Sequence, residues 1–182
     1  MKIERFEAPH RDAVRSMARE CGAFTEQEVA VCLEIADTVV ARPEQRDYEI
    51  WVALDPDPVG FIIFGTNALS DRVWELYWIV SRRPGTGTEL MKFMEGRIAR
   101  EARMCVLETS GQPKYDAQRR FYAKMGFREV ARVADFYREG DDLLIYRKDY
   151  SPIWSEGYGR VAEAARRGDQ QRTETEGALS RD

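Results

Sequence analysis

The chain has 182 residues, of which 43% are hydrophobic and 33% charged, and this composition is ordinary for a single globular domain with a substantial core. The net charge of −4 argues against charge-driven binding to nucleic acid or to an anionic membrane surface. No apolar run approaches the roughly 18 residues of a membrane span, and residues 1–10 carry charges where a signal peptide needs its apolar stretch. We therefore expect a cytoplasmic protein with no nucleic-acid or membrane partner.

The residue types that most often bind metals are scarce. His10 is the only histidine, which argues against a multi-histidine metal site and against a histidine-based catalytic triad. Cys21, Cys32 and Cys105 are odd in number and lack CxxC spacing, so they indicate neither a disulfide framework nor a zinc site. We expect three unpaired thiols and no metal.

Hydrophobic periodicity and turn residues predict the order of the elements. In chain order they are a short strand (1–9), two helices (10–22 and 24–41), three strands (48–55, 59–69 and 72–80), a helix (88–103, its first turn reaching back into the preceding loop), a strand (104–110), a helix (116–126) and a hairpin (127–137 and 142–149). A capping box of Thr25 and Glu28 marks the start of the second helix. The run MCVLETS (104–110) is continuously apolar and predicts burial on both faces. This order indicates an α/β (α+β) protein with a single sheet.

The composition changes after residue 150. Residues 151–182 are polar and low in apolar content, with one short helix predicted at 159–167. We therefore expect one domain over residues 1–150 and a C-terminal extension over 151–182 that is partly disordered.

A short glycine loop, RRPGTG (82–87), leads from a predicted strand directly into a helix. Thr86 and Glu89 predict a second capping box at the start of that helix. A helix start presents unpaired N–H groups and partial positive charge, and glycines let those groups approach a bulky anion. Arg82 and Arg83 add charge, but the GK[ST] of a nucleotide P-loop is absent. A phosphate site and a plain tight turn both explain the loop.

Two stretches together resemble a known family. The first is ELYWIV (75–80) followed by RRPGTG, and the second is RRFYAKMGF (119–127) followed by the hairpin. They resemble the GNAT N-acetyltransferase superfamily, which transfers acyl groups from coenzyme A, and the resemblance covers residues 1–149. It implies a mixed, mostly antiparallel central sheet flanked by helices. It also implies acetyl-CoA as the acyl-donor co-substrate and an amine of a small molecule or peptide as the acceptor.

The resemblance also implies roles for individual residues. The pantetheine of acetyl-CoA would lie along the strand at 74–80, where backbone groups of Ile79 and Val80 would hold its amides and an oxyanion. Tyr122 matches the tyrosine that often protonates the departing thiolate in this family. The residues expected to hold the cofactor are Ile79, Val80, Arg82, Arg83, Gly85, Thr86, Gly87 and Thr88.

An amine acceptor is mostly protonated at neutral pH, so the reaction needs a group that removes a proton. Glu75 is the first candidate and Glu108 the second, although a solvated, cross-strand role explains Glu75 equally well. Five aromatic residues are candidates for the wall of an acceptor pocket, with simple packing as the alternative: Tyr77, Trp78, Tyr115, Phe136 and Tyr137. The acidic segment at 139–142 suits a cationic acceptor if it faces the cleft and is otherwise a solvated hairpin tip.

Three features depart from the family pattern. The segment between Ile79 and Arg82 is short, Arg83 stands where glycine is common and Pro84 lacks an N–H, and Tyr115 replaces a frequent asparagine. These departures support a second hypothesis, a degenerate, non-catalytic acyl-CoA-binding or protein-interaction module. The sequence leaves a homodimer open.

Overall fold

The computed structural model describes residues 1–150, so the helix predicted at 159–167 and the extension at 151–182 lie outside the described residues. The helices are α1 (Arg11–Glu20), α2 (Glu26–Ala41), α3 (Thr86–Ile98) and α4 (Asp116–Lys124). The strands are β1 (Lys2–Arg5), β2 (Glu49–Leu54), β3 (Pro58–Thr66), β4 (Val73–Ser81), β5 (Met104–Ser110), β6 (Arg128–Arg138) and β7 (Asp141–Asp149). Short 3-10 turns at Ala8–His10 and Pro113–Tyr115 precede α1 and α4. None of the helices within this part of the chain is long and apolar enough to span a membrane.

All seven strands form one sheet in the order β1-β2-β3-β4-β5-β7-β6. Every neighbouring pair is antiparallel except the central pair β4 and β5, which is parallel and is connected through α3. A parallel pair needs such a crossover, whereas the antiparallel pairs can follow one another through short turns. The predicted fold class, a mixed and mostly antiparallel sheet flanked by helices, is confirmed.

Helices cover both faces of this sheet. Residues of α3 and α4 pack on one face, which we call the α3 face, and α1 and α2 pack on the other, the α1 face. Buried residues on the α3 face include Ile62, Phe64, Leu76, Leu90, Met94 and Leu107. Those on the α1 face include Val14, Met17, Val29, Ala36, Phe61 and Ile63. Because side chains of a strand alternate between faces, the unbroken apolar run of β3 serves both cores.

The central strands β4 and β5 pair over only part of their length. Parallel pairing joins residues 73–76 to 104–107, although β4 continues to Ser81 and β5 to Ser110. The register of β4 against β3 shifts so that Tyr77 is an additional residue on β4, and such a bulge bends a strand. The two strands therefore diverge, and the sheet opens between their C-terminal ends.

Three local predictions are wrong. Thr86 and Glu89 form no capping box, because α3 begins at Thr86 and Gly85 is its N-cap. The Thr86 side chain packs beside Gly60 instead: a Cβ added to Gly60 would lie 2.8 Å from Thr86 Cγ2. Helix α3 ends at Ile98 rather than at 103, because the Ile98 carbonyl accepts the N–H groups of residues 101 and 102 and turns the chain into β5. Strand β5 is not buried evenly on both faces: on the α1 face Met104 and Val106 are only partly buried, and Glu108 is exposed where β5 diverges from β4.

Candidate active site

The glycine loop ends in an open helix N-terminus. Gly85 has φ +86°, in the left-handed region that favours glycine, and it begins α3 without a side-chain cap. The N–H of Thr86 donates to the Arg83 carbonyl at 3.3 Å, while those of Gly87 and Thr88 have no acceptor in the described part of the chain. Unpaired N–H groups at the positive end of a helix dipole are suited to an anion.

The two arginines of the loop have carboxylate partners. Arg82 donates from Nη2 to Glu20 Oε2 at 2.6 Å and to Ser16 Oγ at 2.8 Å, which ties the loop to α1. Arg83 pairs with Asp55 in the β2–β3 turn. Ion pairs exposed to this extent are weak, so a pyrophosphate can compete for the same guanidinium groups.

Helix α4 adjoins the first turn of α3 on the α3 face. A Cβ built on Gly87 would lie 3.6 Å from Ser81 Oγ and 3.7 Å from the Phe121 ring, which are ordinary contact distances. Gly87 therefore faces a gap bounded by the end of β4 and by α4. The loop, the strand and the helix meet at the point where the sheet opens.

Tyr122 follows Phe121 on α4 and lies on the α3 face. Its ring centroid is 5.7 Å from that of Phe121 and 6.1 Å from that of Tyr146 on β7. Burial, with no hydrogen bond contributing, raises the pKa of Tyr122 to about 12. Its hydroxyl is therefore protonated at neutral pH and is available as a donor.

Both candidate carboxylates lie on the opposite, α1 face. Glu75 precedes Leu76 and Glu108 follows Leu107, and both leucines point to the α3 face. Glu75 accepts a hydrogen bond from Asn67 Nδ2 at 2.6 Å, and burial together with the Glu75 carboxylate raises the pKa of Tyr77. Glu108 has no hydrogen-bond or ion-pair partner among residues 1–150. Burial first, and the charge of Glu75 second, raise the pKa of Glu108.

Ile79 and Val80, which were expected to contact the pantetheine, lie on the part of β4 that pairs with β3 but not with β5. Ile79 packs against the α3 face and Val80 is buried on the α1 face. Neither residue pairs with β5, because the parallel pairing stops at Leu76. Backbone groups on this edge of β4 are therefore bordered by the opening and not by a neighbouring strand.

A wide bulge shapes the β6–β7 hairpin near this opening. Residues 134–137 of β6 face the single residue Asp142 of β7. Asp135 has φ +53°, its N–H donates to Asp142 Oδ1 at 3.1 Å, and its Oδ1 accepts from the N–H of Gly140 at 2.7 Å. These bonds hold the two aromatic residues of the bulge, Phe136 and Tyr137, which are both exposed.

Tyr137 lies within electrostatic range of residues from three other elements. Burial, followed by the charges of Glu108 on β5 and Glu28 on α2, raises the pKa of Tyr137 to about 12, and Tyr115 contributes as well. Of the aromatic residues predicted to wall a pocket, Tyr115 and Tyr137 thus lie in the same region of the protein. Trp78 instead packs against the core of the α1 face.

The acidic hairpin segment is solvated only in its first half: Glu139 and Gly140 are exposed, whereas both aspartates have partners. Asp141 is only 5% exposed and accepts a hydrogen bond from Ser110 Oγ at the end of β5. Asp142 pairs with Arg132 at 3.1 Å. Ser110 was not predicted from the sequence, because no local pattern indicates its hydrogen bond to Asp141, 31 residues away.

Arg119 was also missed by sequence reasoning. Its Nη1 donates to the carbonyls of Ser110 at 2.5 Å and Gln112 at 3.0 Å, and it pairs with Asp116. It fixes the turn between β5 and α4, and thereby the position of α4 beside the opening. A basic residue in an amphipathic helix carries no sequence signal for this role.

Comparison with known proteins agrees with this geometry. A family model for an acetyltransferase (GNAT) domain matches residues 46–129. A GNAT-family protein from Desulfovibrio desulfuricans is 29% identical, with a TM-score of 0.78 over 82% of this chain and 99% of its own. An aminoglycoside 6'-N-acetyltransferase complexed with coenzyme A is 17% identical, with a TM-score of 0.64 over 84% and 98% of the two chains. The ribosomal-protein-S18-alanine N-acetyltransferase from Escherichia coli is 17% identical, with a TM-score of 0.63 over 82% and 94%. No curated protein matches the sequence.

A mixed sheet that opens between two parallel strands, beside a glycine-capped helix, defines an acyltransferase architecture shared with these structures. Residues 46–129 match the GNAT acetyltransferase domain, and the fold of the described residues is that of GNAT-family acetyltransferases. The two relatives at 17% identity share the fold alone, and their own acceptors differ, so the family leaves the acceptor of this chain open.

Proposed function

We propose that this protein transfers the acetyl group of acetyl-CoA to an amine of a small molecule or a peptide. The observation that carries the proposal is the opening between β4 and β5, with a hydrogen-bond donor on one face and carboxylates on the other. Tyr122 lies on the α3 face, and Glu75 and Glu108 lie on the α1 face. Acetyl-CoA and the amine can therefore meet in the opening from opposite faces of the sheet.

The residues around the glycine loop fit an acyl-CoA. The N–H groups of Gly87 and Thr88 have no acceptor among residues 1–150, and Gly87 carries no side chain that would hinder the approach of the pyrophosphate to the backbone. Arg82 and Arg83 supply charge once they release their carboxylate partners. The pantetheine would follow the unpaired edge of β4 at Ile79 and Val80, and one N–H there would stabilise the oxyanion.

The carboxylates would remove the proton that the amine must lose. The amine nitrogen forms a bond to the thioester carbonyl carbon, and the nitrogen proton passes through water to a carboxylate. The contacts favour Glu108 over Glu75 for this role, which reverses the order expected from sequence. Glu75 is held by Asn67, whereas Glu108 has no hydrogen-bond or ion-pair partner among residues 1–150, and its raised pKa makes it a stronger base than an ordinary glutamate.

Tyr122 would act on the leaving sulphur. When the C–S bond breaks, the sulphur gains negative charge, and the Tyr122 hydroxyl can donate a hydrogen bond to it. Complete proton transfer from a group of pKa about 12 to a thiolate whose conjugate acid has pKa about 8.5 is unfavourable. We therefore assign to Tyr122 stabilisation of the developing thiolate. The proton that neutralises the thiolate is the one that the amine loses.

Calorimetric titration and product analysis test the proposal. We expect acetyl-CoA and CoA to bind and ATP not to bind. Turnover is then measured with 1,5-diaminopentane, kanamycin and an alanine-initiated peptide, and the CoA released is separated by chromatography, because the exposed Cys21 would react with thiol reagents. Binding of ATP without binding of acetyl-CoA would overturn the proposal.

One observation favours the second candidate, a non-catalytic acyl-CoA-binding or protein-interaction module. Both arginines of the glycine loop are already neutralised, Arg82 by Glu20 and Arg83 by Asp55. This arrangement is expected of a loop that has lost its phosphate. Acetyl-CoA binding with no turnover of any amine would support this candidate over the enzyme.

A further inference from the structure

The loop between α1 and α2 spans the opening of the sheet. At one end, Glu20 is held by Arg82, the first residue after β4. Three residues further on, the carbonyl of Ala23 accepts a hydrogen bond of 2.5 Å from the Tyr115 hydroxyl. Tyr115 lies in the turn between β5 and α4. Residues 20–23 are therefore attached to the chain that follows each of the two diverging strands.

The bond at Tyr115 is the longer-range of these two attachments. It joins residues 92 apart in sequence, and it is partly buried. The ring of Tyr115 also carries the Lys114 ammonium 4.8 Å from its centroid, but that contact involves only neighbouring residues. Among the described residues, the hydroxyl makes the one side-chain hydrogen bond between the Tyr115 turn and the α1–α2 loop.

The same loop borders the group of residues around Tyr137. Glu28 lies at the start of α2, three residues after Thr25, whose N–H donates to it at 2.7 Å. The side chains of Glu28, Glu108 and Tyr115 all influence Tyr137. The β6 bulge that carries Tyr137 therefore lies near Glu108 and near the start of α2, which follows the α1–α2 loop, on the α1 face of the sheet.

We infer that Tyr115 is a positioning residue for the acceptor: its hydroxyl holds residues 21–25 as a wall of the acceptor pocket. The inference rests on the proposed function, because it assumes that an amine reaches Glu108 from the α1 face. The inference gives the two sides of the opening different roles. Tyr115 fixes the acceptor side, whereas the glycine loop on the other side of the opening holds the acyl donor.

Tyr115→Phe tests the inference, since it removes the hydroxyl and keeps the ring. Lys114→Met is the matched control, because it removes the cation above the same ring and leaves the Ala23 bond intact. Hydrogen exchange of the full-length, ligand-free proteins is followed at residues 21–25. Loss of one net hydrogen bond should accelerate exchange there about 2- to 12-fold in Tyr115→Phe and leave the control at the wild-type rate.

Kinetics give the second readout, with whichever of 1,5-diaminopentane, kanamycin and the alanine-initiated peptide the wild type acetylates fastest. We expect the amine KM to rise by the same about 2- to 12-fold, with kcat and the Kd for acetyl-CoA unchanged. Unchanged exchange in Tyr115→Phe, or faster exchange with an unchanged amine KM, would overturn the inference. If the wild type itself binds no acetyl-CoA or acetylates none of the amines, the proposed enzymatic function fails, and the variants are not the cause.

Discussion

Gly87 offers the sharpest test of the glycine loop, because the protein itself leaves room for a methyl group there. A Cβ at this position would meet Ser81 Oγ at 3.6 Å and Phe121 at 3.7 Å, and the backbone is ordinary helix. Gly87→Ala should therefore fold normally. Replacing a helical glycine by alanine stabilises by up to about 1 kcal/mol, which corresponds to a rise in Tm of about 2–4 °C for a domain of this size.

The same methyl group would lie beside the Gly87 N–H, to which we expect the pyrophosphate to bind. Loss of one hydrogen bond to a charged group costs about 1.5–3 kcal/mol, so the Kd for acetyl-CoA should rise about 10- to 150-fold. Gly96→Ala is the matched control, since Gly96 lies in the same helix with nothing within 4 Å of an added Cβ. It should raise Tm similarly without changing the Kd.

Calorimetric titration and a melting curve for each variant decide the matter. An unchanged Kd in a folded Gly87→Ala protein would show that the loop is only a turn. Equal weakening in both variants would show that the effect comes from helix α3 as a whole and not from the gap at Gly87.

Three further variants test the other parts of the site. Tyr122→Phe should lower kcat about 10²–10³-fold and leave Tm and the Kd for acetyl-CoA unchanged, because its hydroxyl stabilises only the developing thiolate. Glu108→Gln should lower kcat by about 10²-fold or more. The pKa of Glu108 is higher in the folded protein than in the unfolded chain, so protonated Glu108 favours the folded state. This contribution is complete at pH values below the pKa of the unfolded chain, and it is lost as the pH rises through the pKa of the folded protein. The glutamine variant should therefore melt no lower than the wild type at pH 7, and its advantage should vanish below pH about 4. Ser110→Ala leaves the buried Asp141 without its hydroxyl donor and should cost about 1–3 kcal/mol of stability, measured by denaturant titration.

Different results would contradict each of these expectations. Full turnover by Tyr122→Phe would transfer the stabilisation of the thiolate to water or to another donor. A drop in Tm of Glu108→Gln at pH 7 would mean that the carboxylate has a stabilising partner in solution. An unchanged unfolding free energy for Ser110→Ala would mean that water replaces the lost donor at Asp141.

Local patterns were sufficient for most of the elements and for part of the site. The bounds of β5 are those predicted, and the capping box of Thr25 and Glu28 forms as expected, because strand periodicity and cap chemistry depend on residues close in sequence. The glycines of the loop were identified for the same reason. A positive φ at Gly85 is a local requirement of the backbone.

The arrangement of the site depends instead on which surfaces pack together. Periodicity predicts the face on which Glu75 and Glu108 lie. Only the tertiary structure shows that Asn67 donates to Glu75 and that Glu108 has no such partner within residues 1–150. The partner of Arg82, on a helix 62 residues away, is equally invisible to a local pattern. Partner choice and pKa depend on burial and on distances between elements, and these exist only once the sheet has opened between β4 and β5 and the helices have packed on its two faces.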